Sequence, residues 1–147
     1  MHRGEGPTLE VLLVHPGGPL WARRDLGAWS IPKGEYAAEE DSLAAARREF
    51  EEELGTAPPD VPAQDLGEVR QKGGKVVRGF GVRGDLDVGA IASNTLEIEW
   101  PPRSGKRLEI PEVDRAEWFA VDIAREKINQ AQVVLLDRLA EILAAER

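Results

Sequence analysis

The stretch from Gly34 to Thr56, GEYAAEEDSLAAARREFEEELGT, constrains this chain more than any other, because it reads as a helix whose far end is loaded with acid. Asp41 and Ser42 can cap its start, Leu43, Ala46, Phe50 and Leu54 recur at helical spacing, and Gly55 is a suitable terminator. The spacing predicts an amphipathic helix of about three turns. Its last turns carry Glu49, Glu51, Glu52 and Glu53 near the negative end of the helix macrodipole, where each acid costs roughly 0.3–1 kcal/mol. The like-charged pair Glu49 and Glu53 adds a repulsion of roughly 0.2–0.5 kcal/mol. Local rules broken together in this way point to a function. Carboxylates three and four residues apart share a helix face, so Glu49, Glu52 and Glu53 can converge on a hard divalent cation through oxygen ligands.

The pattern G-x5-E-x7-R-E-U-x-E-E-x-G-U, with U a bulky apolar residue, falls on Gly34, Glu40, Arg48, Glu49, Phe50, Glu52, Glu53, Gly55 and Thr56. This spacing resembles the Nudix box. Only Thr56 departs from it, standing where an aliphatic residue is usual. Average residue usage gives a chance match odds on the order of 10⁻⁸ to 10⁻⁹ per start position. A solvated helix held by Arg47/Glu51 and Arg48/Glu52 pairs is the competing reading, and it explains neither the glycines nor the spacing. Upstream, WSIPKG (29–34) looks like the approach to the box in MutT-type and dinucleoside-polyphosphate-cleaving members. Downstream, PEVDRAEWF (111–119) is similar to a region where many members carry a further acid six residues before a Trp, here Glu112 before Trp118.

The resemblance implies an α/β (α+β) Nudix fold, a mixed β-sheet sandwiched between helices with a C-terminal helix, in one domain over residues 1–147. Members usually begin with a strand ahead of the one read here at Leu9 to Val14. Only eight mostly polar or chain-breaking residues precede it, so the first family strand is expected to be missing or replaced. The implied reaction is hydrolysis of a nucleoside diphosphate linked to another group, with Mg²⁺ or alternatively Mn²⁺. By the same resemblance Glu49, Glu52 and Glu53 are the metal set, with the Gly34 carbonyl and Glu112 as further ligands. Arg48 orients a box glutamate, and Glu40 is a structural partner. Members differ in their general base, and the order here is Glu52, then Glu49, then Glu112.

Substrate contacts are less sharply marked. Lys33 and the Arg23/Arg24 pair can meet phosphates or can simply be solvated, and Trp21, Trp29 and Trp100 can stack on a base or pack in the core. The proline common in ADP-ribose hydrolases falls near Lys72 and is missing, Tyr36 is the sole tyrosine, and no SQPWPFPxS run of the NADH type occurs. The WSIPKG approach favours a nucleoside triphosphate or dinucleoside polyphosphate. A diphosphoinositol-type polyphosphate and a non-catalytic nucleotide sensor are the alternatives.

Composition narrows the partners. No cysteine is present, which excludes thiol catalysis and cysteine-held zinc, and His2 and His15 are too scattered for a histidine metal site. His15, beside Pro16 at a strand end, is read as structural. A net charge of −8 argues against a nucleic-acid binder, which must neutralise phosphates with its own cations. A small polyphosphate held through metal ions is compatible with that charge. With no spanning apolar run and no secretory signal, a cytosolic protein away from membranes is expected, as monomer or homodimer. Further expected elements are strands at Leu66–Gln71 and Lys75–Val82 around Gly73–Gly74, at Leu96–Trp100 and at Glu117–Ala120, then one helical tail from Asp122 to Ala145.

Overall fold

A computed structural model describes residues 1–33 and 39–146. Among the described residues, seven strands and three α-helices follow in the order β1 (His2–Arg3), β2 (Glu10–Pro16), α1 (Ser42–Leu54), β3 (Gln64–Arg70), β4 (Val76–Gly81), β5 (Thr95–Glu99), β6 (Arg107–Pro111), β7 (Val113–Ala120), α2 (Val121–Lys127) and α3 (Val133–Ala145). The apolar run of β2 explains the layering. It pairs antiparallel with β7 and is buried on both faces, as a central strand between two helical layers must be. Val11 and Leu13 face a core with Trp29, Phe119, Leu135, Leu136 and Leu139, whereas Leu12 and Val14 face Phe50, Leu54, Val113 and Ala116. Thus α3 covers one side and α1 the other, the expected sandwich.

The place ahead of β2 is filled by a two-residue strand. β1 pairs antiparallel with β2 and makes a parallel bridge to Arg83, with the His2 amide donating to the Val82 carbonyl at 2.9 Å. Backbone hydrogen bonds recruit this segment, so no apolar pattern announces it. The first strand is therefore replaced by a minimal one, which joins β2 to the end of β4.

The tail departs from the single expected helix. α2 ends at Lys127, Ile128 is extended and fully buried, and a short 3-10 turn (Gln130–Gln132) leads into α3. The backbone of residues 127–129 is taken up by Trp29, whose amide donates to the Lys127 carbonyl and whose carbonyl accepts from the Asn129 amide at 2.7 Å. Asn129 then caps the turn, its Oδ1 accepting from the Ala131 amide. The apolar stripe of α3 packs on the body through Leu135, Leu136 and Leu139. The unexpected β6 pairs with β5 to form a two-stranded hairpin. Its alternating charges, RLEIP, give little strand signal.

Candidate active site

The acid-rich helix forms as its sequence predicts. Asp41 caps it by accepting from the Ala44 amide at 3.0 Å, and Gly55 ends it in the left-handed region at φ 80°. That terminator also fits a tight approach, since a Cβ on Gly55 would lie 2.7 Å from the Ala92 carbonyl oxygen. The orphan carbonyls at the helix end are satisfied by a passing segment: Ala92 donates to Leu54 and Asn94 donates to Glu52, at 3.1 and 2.9 Å. Thr56 is exposed just beyond, so nothing there demands the usual aliphatic residue.

The same segment positions the distal acid. The Glu112 amide donates to the Asn94 carbonyl at 3.0 Å, and the Glu112 carbonyl accepts from Gly17 at 3.0 Å. Only glycine fits at position 17, because a Cβ would stand 2.0 Å from the Pro111 carbonyl oxygen. Main chain thus runs from the end of α1 through Asn94 to Glu112, which brings the Glu112 charge within reach of the box carboxylates Glu49 and Glu53.

Electrostatics mark the cluster. Glu49 and Glu53 are buried, at 7% and 5% exposed, against the ordinary solvation of carboxylates. Burial, then the nearby charge of Glu112, and further Glu49, push the Glu53 carboxyl up to about 8, opposed by a 2.8 Å hydrogen bond from the Lys33 amide. Glu49 is also raised, by burial and then by Glu52 and Glu112, with Arg48 working against them. Arg48 forms a fork onto Glu40 (Nε to Oε2 3.2 Å, Nη2 to Oε1 3.0 Å) and sends Nη1 to Glu49 at 3.0 Å and Glu52 at 3.5 Å. It therefore touches two box glutamates and anchors to a third, as an orienting residue would.

A cleft of about 310 Å³ opens beside this cluster, lined by Lys33, Glu53, Glu112, Trp21, Gln71 and Asn129 among others. A larger hollow of about 470 Å³, at His2, Gln64 and Arg83, is lined by none of the expected site residues. Chemistry, and not size, makes the smaller cleft the candidate site. The donor set of buried carboxyl oxygens whose charged forms repel one another suits a hard divalent cation. Yet among the described residues no three His, Cys, Asp or Glu side chains are grouped closely enough to hold one ion together. The expected convergence of Glu49, Glu52, Glu53 and Glu112 is incomplete because Arg48 engages Glu49 and Glu52 while Glu53 turns to the Lys33 amide. Gly34, the expected carbonyl ligand, lies outside the described residues.

The expected substrate contacts divide. Lys33 lines the cleft, whereas Arg23 and Arg24 are exposed and are not part of its wall. Arg24 packs its guanidinium over Trp21 at 5.3 Å, and its carbonyl accepts from His15 Nε2 at 2.7 Å. His15, fully buried and joined to Asp114 through Nδ1, latches the loop in place, the structural role its sequence position suggests. Trp29 is also part of the cleft wall, but at 1% exposed it presents no open face for stacking: it lies edge-on to His15 and Phe119, with Nε1 donating to Asp25 at 2.8 Å. Its indole is core. Gln71 and Asn129, which line the cleft, were invisible to sequence reasoning, although Asn after a helix could have signalled a new cap.

The chain is similar to several known proteins. A 60-residue segment, 40% of this chain and 33% of the relative, is 42% identical to an RNA pyrophosphohydrolase of Alkalilimnicola ehrlichii (strain ATCC BAA-1101 / DSM 17681 / MLHE-1). The chain thus spans about a third of that relative's length. The fold is similar to the NUDIX domain of Shewanella oneidensis NrtR complexed with ADP ribose, at TM-score 0.61 and 19% identity over 92% of this chain and 78% of that one. It is also similar to a C. elegans Ap4A hydrolase at TM-score 0.59 and 19% identity, covering 93% and 89% of the two chains. A mutT/nudix family protein from Listeria innocua gives TM-score 0.57 at 19% identity, covering 99% and 88%. With the NUDIX domain matched across residues 2–139, the chain belongs to the NUDIX domain family.

Proposed function

We propose that this chain is a metal-dependent pyrophosphohydrolase that uses water to cut a pyrophosphate bond in a nucleoside diphosphate linked to another group. A nucleoside triphosphate or dinucleoside polyphosphate is the substrate class. The observation that carries this reading is the buried acid cluster, in which Glu53 is pushed up to about 8 opposite Glu112 at the wall of an open cleft. Folding gains nothing from that repulsion, and a divalent cation relieves it. An RNA pyrophosphohydrolase and an Ap4A hydrolase among the similar proteins support the same type of bond.

Glu49, Glu52, Glu53 and Glu112, with the Gly34 carbonyl, are the groups that would hold Mg²⁺ or Mn²⁺. Bound there, the ion would supply charge neutralisation at the phosphates and a more acidic water. The chain's own residues do the rest. Lys33 faces the cleft to meet a phosphate. Arg48 fixes the rotamers of Glu49 and Glu52. Glu52 is the exposed member and would take the proton of the attacking water, ahead of Glu49 and Glu112 as general base. No helix among the described residues is long and apolar enough to cross a membrane, and a cytosolic monomer or homodimer acting on small nucleotides completes the reading.

The test is product analysis after incubation with Mg²⁺ and a panel of nucleoside triphosphates, dinucleoside polyphosphates, ADP-ribose, diphosphoinositol phosphates and 5′-triphosphorylated RNA. Glu52→Gln should lose on the order of 10²-fold in kcat or more. Isotopically labelled water identifies the phosphorus attacked. If the wild type binds panel members and cleaves none, the enzyme reading fails in favour of a sensor. The arginine lying across Glu49 and Glu52 is the one observation on that side.

A further inference from the structure

We infer that Gln71, held by the buried Gln132, is a specificity-determining residue that selects keto bases over amino bases. This rests on the cleft being the nucleotide site proposed above, and it names which nucleotides that site favours. Hydrogen-bond polarity propagates outward from the backbone. The Ile31 amide can only donate, and it meets Gln132 Oε1 at 3.1 Å. The other end of that side-chain amide is therefore the donor, and Gln132 Nε2 contacts Ser30 Oγ at 3.1 Å and Gln71 Oε1 at 2.6 Å. Gln132 is fully buried between these partners, so it cannot flip without stranding the Ile31 amide.

The consequence falls on Gln71. Its oxygen is turned into the protein toward Gln132, which leaves Nε2, with two hydrogens, as its unpaired group for the cleft it lines. Asn129 repeats the arrangement on the same wall. Its Oδ1 is committed to the Ala131 amide at 3.0 Å, leaving Nδ2 as its free group. Among the described residues neither NH₂ group has a hydrogen-bond partner, and neither is a buried orphan. Of the side-chain acceptors in the cleft, Glu53 and Glu112 belong to the metal end, and Ser30 Oγ is engaged, accepting from Gln132 Nε2 and donating to the Ile31 carbonyl. Away from the metal the wall thus offers donors. The O6/N7 edge of guanine and O4 of uracil present acceptors to it, whereas adenine N6 and cytosine N4 would set donor against donor. Leaving such donors unpaired against the wrong base is what makes a polar site selective.

Non-hydrolysable α,β-methylene diphosphates of guanosine, uridine, adenosine and cytidine, titrated into the wild-type protein with Mg²⁺, read this preference without turnover. The keto nucleotides should bind on the order of tenfold more tightly. Gln71→Glu keeps an acceptor for Gln132 and turns the second oxygen to the cleft, so the ratio should move toward adenosine and cytidine by on the order of tenfold, whatever the overall affinity does. Gln132→Leu should flatten the ratio although its side chain never reaches the cleft, and Gln71→Ala does the same at a half-buried site if the core variant fails to fold. Equal wild-type affinities for all four, no binding of any, or an unmoved ratio in Gln71→Glu overturns the inference. If the ratio holds while the hydrolysis panel is blank, the enzyme proposal falls and the selectivity stands. Hydrolysis with a flat ratio leaves the enzyme proposal standing and removes the selectivity.

Discussion

Replacing Glu53 by glutamine should stabilise the metal-free protein, and only at neutral to alkaline pH. Burial and the facing acids move this carboxyl from 4.5 to about 8. The folded state consequently holds the proton more tightly than the unfolded chain, so stability falls as pH rises between 4.5 and about 8. At about 1.4 kcal/mol per pH unit, that interval sets an upper value of about 4 kcal/mol at pH 8, and relaxation with water entry should reduce it to about 2 kcal/mol. Glutamine keeps an oxygen for the Lys33 amide, so the substitution removes charge and little else. In EDTA at pH 8 the variant should melt about 4–8 °C above wild type, and at pH 5 the two curves should nearly coincide. Mg²⁺ should raise the wild type far more than the variant, because an ion bound only by the folded state adds its binding energy to stability. Differential scanning fluorimetry across pH decides it. A variant less stable than wild type in EDTA at pH 8, or a gain of the same size at pH 5, would refute the reasoning from buried charge.

Other perturbations test the supports of the site. Arg48→Lys cannot reproduce the fork onto Glu40 while reaching Glu49, and the Mg²⁺ concentration giving half-maximal activity should rise about tenfold with little change in melting temperature. Gly17→Ala forces a methyl group onto the Pro111 carbonyl and should displace Glu112, lowering both stability and kcat, as paired melting and kinetic measurements would reveal. Trp29→Phe should cost about 1–3 kcal/mol in chemical denaturation, since the indole packs inside and its Nε1 serves Asp25.

Sequence legibility followed the range over which each signal acts. The helix from Ser42 to Leu54 was readable because its cap, stripe and terminator are local, and β2 because a strand buried on both faces must be continuously apolar. β1 and the break at Ile128 were not, since both depend on backbone partners far away in the chain, Val82 for one and Trp29 for the other. The grouping of Glu112 with the box acids was legible only through family spacing. Trp29 illustrates the opposite case: an aromatic beside a motif reads as a ligand contact, and the fold buries its indole although the residue also lines the cleft. Gln71 and Gln132 carry no motif whatever; their relation exists only once a hairpin turn and the start of α3 are folded together.

The two backbone–backbone hydrogen bonds of Asn94, to Glu52 and Glu112, give the chain a kind of modularity. Because its carbonyl is joined to the amide of Glu112, the β5–β6 hairpin between them leaves the body and returns to the same point. Neither residue of the clasp lies within 95–111, so the clasp does not depend on how long that segment is. The distance in sequence between the box and its distal acid is then free to drift although their distance in space is not. A distal glutamate in such a scaffold is better sought by asking which residue is clasped to the end of the helix than by counting along the chain.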